Sequence, residues 1–465
     1  MTPQPSRSAD QPAPSRGEPR ELTLAVGAPA HGGHCVARPV DDPSGRVIFV
    51  RHALPGETVR ARLTEMTSRT WRADAVEILQ ASPDRVESVW PEAGPAGVGG
   101  GELAHVALDA QRTWKRWVLA DCLRRIGGQE VADAVAALPE ASAAAAVPIE
   151  PMPTDAAAQA SNSARRRALA GTATRTRVSL TVGEDGRPGM HAFRSGMVLP
   201  LRRLPLAVDA ITEIGLLERS RWRAHYRPGM RIEAIAPSGG EPVVLLDERL
   251  LTAQARSTGR RRVREVVDAS ALGLGELTYS VHAEGFWQVH VDAPRVLVER
   301  VVRGALGADL DGAAGSRVLE LYSGAGLFTL PLAALAGDRG QVLSLEGNEQ
   351  AVRDARRTLH DQPSARLASG RVSARSVREL AGSFTGGRPD VVVLDPPRQG
   401  AGREVIEAVG ALGAERIVLV ACDPAALARD LGTLLRSGYT LGSMSALDMF
   451  PHTHHFETIA VLERS

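Results

Sequence analysis

Arg317-Val318-Leu319-Glu320-Leu321-Tyr322-Ser323-Gly324-Ala325-Gly326-Leu327-Phe328 carries the architecture of this chain. After Arg317, Val318 to Leu321 are an apolar run with one acid, the pattern of a strand buried inside a sheet. Glycine at 324 and 326 permits a tight turn and lets a ligand approach the backbone closely. Thr329–Ala336 then reads as a helix. The next strand, Gln341–Leu345, ends in Glu346. An acid about 20 residues after such a turn accepts hydrogen bonds from ribose hydroxyls in doubly wound nucleotide folds. Beyond Pro294, short apolar runs keep alternating with longer amphipathic stretches, the βαβα texture of a parallel α/β sheet. An ordinary βα turn would look the same, and both NAD and S-adenosylmethionine fit this one.

Two further strands end in reactive residues. Val391-Val392-Val393-Leu394 runs into Asp395-Pro396-Pro397-Arg398, and Ile417-Val418-Leu419-Val420 runs into Ala421-Cys422-Asp423-Pro424. Glu457 follows Phe450-Pro451-His452-Thr453-His454-His455-Phe456. An acid and two prolines at the fourth strand end characterise methyltransferases acting on nucleobases. The prolines fix the backbone where substrate and cofactor meet, which favours S-adenosylmethionine over NAD. A thiol can attack an electrophilic base, and a carboxylate can then remove a proton. The plainer readings are a small buried hydrophobe for Cys422 and a surface acid for Glu457. His452, His454 and His455 have no cysteine or acidic cluster at ligand spacing, so no metal is expected.

Composition narrows the class. A chain of 465 residues has room for about two to four domains. No apolar run approaches the ~18–20 residues needed to span a bilayer, and no secretory h-region is evident, so no membrane partner is expected. Cys35, Cys122 and Cys422 form no paired framework, which suits a reducing cytoplasm and keeps Cys422 a free thiol. A net charge of +1 does not announce nucleic acid, but Arg165-Arg166-Arg167, Arg175 with Arg177, Arg202-Arg203 and Arg260-Arg261-Arg262 could contact phosphate. Lys115 is the only lysine.

Residues 1–20 read as disordered. Residues 21–80 alternate short β-like runs with Gly/Pro/Asp turns, as in an OB-type β-barrel. Residues 81–290 form a small α+β central region with a Gly-rich loop at 94–101, a helix over 108–126 and an Ala/Pro-rich insertion near 129–160, expected to be loose. Residues 291–465 are the α/β domain, of class I (Rossmann-like) type.

In this order the motifs resemble the S-adenosylmethionine-dependent RNA uracil-5-methyltransferases, which modify tRNA or 23S rRNA. The segment from Leu22 resembles that family's TRAM domain. Arg175-Thr176-Arg177 and Gly186–Gly189 resemble its central domain. Gly285-Phe286-Trp287-Gln288-Val289-His290 is similar to its Phe-Phe-Gln motif. The glycine turn, Asp395–Arg398, Cys422-Asp423-Pro424 and His454-His455-Phe456-Glu457-Thr458 complete the series.

The resemblance implies a cofactor site lined by Gln288, Tyr322, Gly324, Gly326, Leu327, Glu346 and Asp395. It implies Cys422 as nucleophile, Glu457 as base, structured RNA as partner and a monomer. Phe286 or Trp287 could stack a base, with core packing the commoner fate of each. Many relatives hold an iron–sulfur cluster through four cysteines, but Trp90, Val98 and Gly101 stand where three of them would be, and three cysteines cannot build a Cys₄ site. Asp423 replaces the family's usual Asn and would tend to raise the neighbouring thiol's pKa, while Arg398 or His455 could lower it. Two alternatives remain at this stage: an amino-group nucleobase methyltransferase using Asp395-Pro396-Pro397, or a non-catalytic RNA-binding protein with a relict cofactor site.

Overall fold

The structure, a computed structural model, describes residues 20–141, 146–310 and 313–465. Residues 1–19 of the segment expected to be disordered lie outside them. The described residues separate into two compact units, one running to Ala30 and over His34–Pro83, the other holding His31–Gly33 and Asp84–Ser465.

In the first unit, β1 (Glu21–Ala30), β2 (His34–Pro39), β3 (Ile48–Arg51), β4 (Thr58–Met66) and β5 (Trp71–Gln80) close into a barrel in the order β1-β2-β3-β5-β4. Period-two alternation puts Leu24, Val26, Val59, Ala61, Ala73 and Ala75 inside. Arg51 and Asp74 are buried as a two-pronged pair, with Nε and Nη2 each 2.9 Å from a carboxylate oxygen.

The second unit begins with helix α1 (Leu108–Cys122) and the short strand β6 (Ile149–Pro151). A six-stranded antiparallel sheet follows, built from β7 (Arg177–Val182), β8 (Pro188–His191), β9 (Val198–Pro200), β10 (Arg231–Ile235), β11 (Val243–Leu246) and β12 (Arg249–Thr252). Then come the hairpin β13 (Arg262–Asp268) and β14 (Glu276–His282), and the strands β15 (Arg317–Leu321), β16 (Gln341–Glu346), β17 (Ala365–Ser369), β18 (Val391–Leu394), β19 (Arg416–Ala421), β20 (Tyr439–Asp448) and β21 (Glu457–Arg464). With β6 these last seven form one sheet, ordered β17-β16-β15-β18-β19-β21-β20-β6. Strands β15 to β19 are mutually parallel where they pair, and β21 is antiparallel to both its neighbours. Every residue of β18 is buried, as expected for a central parallel strand.

Over its described residues, the stretch 129–160 is more ordered than its composition suggests. It contains helices Gln129–Ala136 and Pro153–Gln159, and β6 extends the large sheet by pairing Ile149 with Ala446. Its alanines favour helix, and Val131, Val135, Ile149 and Met152 are buried. The helix expected over 108–126 stays α-helical to Cys122 and widens to a π turn over Leu123–Gly127. Among the described residues no helix is long and apolar enough to cross a membrane.

Candidate active site

Four parallel strands deliver the candidate residues to one edge of the sheet. Leu321 pairs with Leu345 and Leu394, Leu394 pairs with Leu419, and Ala421 pairs with Thr458. Tyr322, Glu346, Asp395 and Cys422 therefore emerge at successive carboxyl ends, where ligands bind in open α/β sheets. Antiparallel β21 starts at Glu457, one residue before the partner of Ala421, so Glu457 comes opposite Cys422. The Thr458 hydroxyl fastens this register by donating to the Ala421 carbonyl at 2.8 Å.

The glycine turn is tight. Tyr322 adopts φ +63°, a costly value for a residue with a Cβ, and its N–H donates to the Leu345 carbonyl at 2.8 Å. Gly326 has φ +87°, and a Cβ there would meet Ala355 and Leu359 side chains at 3.3 Å. Glu346 is fixed from both sides: Oε2 accepts the Gly324 N–H at 2.9 Å and Oε1 accepts the Asn348 N–H at 2.6 Å. Each oxygen keeps a lone pair for a hydroxyl donor. Leu327 is buried in the core and its carbonyl accepts the Tyr279 hydroxyl at 2.9 Å, so its side chain faces apolar neighbours. Gln288 is buried too. Trp287 packs against Tyr279 with ring centroids 5.1 Å apart, as its size suggests, whereas Phe286 is 74% exposed.

The site gathers acids, with Arg398 opposing part of their effect. Burial pushes Glu320 up to about 8 against the hydrogen bond it accepts from Thr329, with Asp395 and Glu346 adding to the rise. Burial, then Glu346, pushes Asp395 up to about 7. Burial, then Asp395, raises Glu457 well above the carboxylate range, and Arg398 opposes the shift. Among the described residues, Glu320 Oε1 and Glu457 Oε1 are buried without a hydrogen-bond partner. Cys422 is the one cysteine of the three that is not fully buried. Its thiol is pushed up to about 12 by burial, then by Glu457 and Asp395, against the pull of Arg398.

The expected sources of perturbation sort themselves. Asp423 turns its carboxylate into the start of helix Pro424–Arg436, where Oδ1 accepts the N–H groups of Ala425 (3.0 Å) and Ala426 (2.8 Å). His455 is pushed down to about 3 by burial, then by His454 and Arg398. It is neutral near pH 7 and supplies no charge to the thiol, so of the two considered only Arg398 pulls the thiol's pKa down. Cys35 and Cys122 are buried, and burial raises both thiols.

The positions of the missing cluster cysteines are filled. Trp90 and Val98 are buried in the core of the six-stranded sheet. A Cβ at Gly101 would lie 2.7 Å from Ala93 Cβ and 2.9 Å from the Trp90 ring. Trp90 occupies the space a thiolate at 101 would need, so these residues do not fit an iron–sulfur cluster.

One element of the site carried no motif. Lys115 and Gln111 of α1, both fully buried, bind the loop that leads into Glu457. The only available signal was that the chain keeps a single lysine.

Comparison with known proteins agrees with this geometry. Residues 276–465 match the tRNA (uracil-5-)-methyltransferase family and residues 18–76 the TRAM domain. An RNA methyltransferase of Streptomyces avermitilis is 39% identical over 95% of this chain and 98% of its own. A 23S rRNA (uracil(1939)-C(5))-methyltransferase of Acinetobacter baumannii is 30% identical over 94% of this chain and 92% of its own. The crystal structure of Pyrococcus abyssi tRNA (uracil-54, C5)-methyltransferase with S-adenosyl-L-homocysteine superposes with a TM-score of 0.61 at 20% identity, covering 94% of this chain and 99% of that one. The N-terminal barrel, the class I sheet with its strand-end residues and these relatives together establish that the chain belongs to the TRAM-containing RNA (uracil-5-)-methyltransferase family of enzymes.

Proposed function

We propose that the protein methylates carbon 5 of a uridine in structured RNA, tRNA or 23S rRNA, through a covalent bond between Cys422 and carbon 6. The observation that carries this reading is the register that sets Cys422 against Glu457 at the strand end beside Asp395. Carbon 5 of uracil is a poor nucleophile. Attack by the Cys422 thiolate at carbon 6 makes it enolate-like. After methylation Glu457 takes the carbon-5 proton, the C5=C6 bond re-forms and the sulfur leaves carbon 6.

The acids around the glycine turn support S-adenosylmethionine. Asp395 and Glu346 raise the proton affinity of Glu320, and Glu346 raises that of Asp395. That pocket repels a pyrophosphate and suits a cofactor with positive sulfur and ammonium groups. Glu346 would accept its ribose hydroxyls, the Tyr322–Gly326 turn would admit it, and Gln288, Asp395 and the Leu327 backbone would border it. Bound there, S-adenosylmethionine supplies an electrophilic methyl. Its positive charge favours the ionised forms of Asp395 and Glu457, and Arg398 favours the thiolate.

The target base must leave its stack to reach a site this deep, which costs a few kcal/mol offset by pocket contacts. Phe286, exposed beside buried Gln288, offers a stacking face, and the exposed arginines offer phosphate contacts. RNA containing 5-fluorouridine tests the scheme, since fluorine in place of the carbon-5 proton blocks the last step. The expected result is a denaturation-resistant RNA–protein complex that requires the cofactor and disappears in Cys422→Ala. Methyl transfer without any adduct would point to the amino-group alternative.

A further inference from the structure

Lys115 is the only lysine among 55 basic Lys and Arg residues, and it is 0% exposed. A surface cation can be exchanged for arginine freely; a fully buried one answers to local geometry. Its ammonium donates to Asp448 Oδ1 and, at 3.1 Å, to the Phe450 carbonyl. Asp448 is the last residue of β20, next to Leu447, and Leu447 pairs across the hairpin with Glu457. The buried ion pair therefore sits where the 449–456 loop leaves the sheet, one residue from the backbone that holds the proposed base.

One helical turn earlier on α1, Gln111 grips the same loop. Its Oε1 accepts the His452 N–H at 2.7 Å, and its Nε2 lies 3.1 Å from His452 Nδ1. The His452 carbonyl accepts the Leu103 N–H at 2.9 Å. His452 is held at φ +65°, a conformation a non-glycine residue keeps only under such constraint. Inside the loop, Thr453 Oγ1 donates to the Phe450 carbonyl (2.8 Å) and accepts the His455 N–H (3.2 Å). Five hydrogen bonds from α1 and the segment before it thus hold the end of β20 and this loop in place.

We propose that the Lys115–Asp448 pair is a positioning device for Glu457, needed for proton removal from carbon 5 rather than for attack or methylation. The inference rests on the covalent reading above. In the step it serves, the carbon-5 proton passes to the Glu457 carboxylate. The C–H electron pair becomes the C5=C6 bond, and the C6–S pair leaves with the Cys422 sulfur. A Glu457 set out of line leaves that step slow while the earlier ones proceed, so the methylated RNA stays bonded to the enzyme.

The test uses the full chain, unmodified substrate RNA and S-adenosylmethionine carrying a labelled methyl. Lys115→Met leaves Asp448 buried and uncompensated, so the informative variant is Lys115→Met/Asp448→Leu, which removes both charges and refills the volume. Expected is a turnover at least ~10-fold lower, with labelled, denaturation-resistant adduct building up on most of the enzyme and cofactor affinity unchanged. Glu457→Gln serves as reference and should build up the same adduct. If Glu457→Gln accumulates adduct and the double variant does not, because turnover is normal, all steps slow in parallel or the protein fails to fold, the pair is purely structural and the inference is overturned. If Glu457→Gln gives none, the covalent reading itself has failed.

Discussion

Two sets of buried acids lie in the second unit and are treated in opposite ways. Asp448 and Asp155 are saturated: Asp448 by Lys115, and Asp155 by His290 Nε2 at 3.1 Å and the Gly171 N–H at 3.0 Å. Glu320 and Glu457 each keep a buried oxygen with no hydrogen-bond partner among the described residues, and both, like Asp395, are pushed toward the protonated form by burial. An unpaired buried acid costs stability. The fold itself pairs the first set, whereas the second keeps oxygens near the glycine turn that a cation would satisfy.

Removing a bare acid should therefore harm turnover and spare the fold, while breaking a paired one should harm the fold. Glu457→Gln carries the largest effect on turnover, a loss of ~10²–10⁴-fold, with a melting temperature at or above wild type. Steady-state methyl transfer and a thermal scan check it together. A collapse in stability would erase the distinction, because Glu457 would then belong with the saturated acids.

Lys115→Met carries the largest effect on stability. It leaves Asp448 without its partner at 2% exposure and should cost ~3–5 kcal/mol of stability. Adding Asp448→Leu should recover most of that, as measured by denaturant unfolding. Failure to recover would mean that the Phe450 carbonyl contact matters more than the charge pair.

Glu320→Gln should stabilise, by ~1–3 kcal/mol. The sign follows from the raised carboxyl: the folded state binds this proton more tightly than the unfolded chain, so wild-type stability falls as pH rises from the ordinary carboxylate range to about 8. The gain of the variant is then full above about pH 8 and fades toward acid. Melting curves across that range decide it, and a gain independent of pH would trace to packing instead.

How far these contrasts could be read from sequence depends on how local their causes are. Strand ends with distinctive tails, such as Leu394 into Asp395-Pro396-Pro397 or Ala421 into Cys422, are local, and the sheet sets them side by side as the βαβα texture predicts. The exposure of Phe286 next to buried Trp287 was not legible, since two adjacent aromatics carry no sign of which one the core will take. Nor was the order within 129–160, where β6 owes its strand to an edge of β20 almost 300 residues away. The anchoring of the Glu457 loop was hidden for the same reason. Lys115 and Asp448 meet only after the chain has folded, and Asp423, suspect by adjacency to Cys422, turns one oxygen to a helix start.

The smallest effect is also the most direct probe of the bare set. With Asp395 pushed up to about 7, most of it is protonated at pH 6 in the free protein. A cationic cofactor prefers the ionised form, so binding at pH 6 must expel a proton, and at pH 8 it need not. Affinity for S-adenosylmethionine should therefore rise by ~10-fold between pH 6 and pH 8, with the gain complete above about pH 7. Titration calorimetry in buffers of different ionisation enthalpy should register proton release near pH 6 and little at pH 8. Asp395→Asn should reduce both the slope and the release between pH 6 and pH 7, and should bind at pH 8 more weakly than wild type. The saturated pairs provide the control, since Asp448 already holds its cation and the Lys115→Met/Asp448→Leu variant should retain the full slope. A flat profile in wild type would mean that the acids of the turn do not face the bound cation, and the case for S-adenosylmethionine would then rest on the turn and on Glu346 alone.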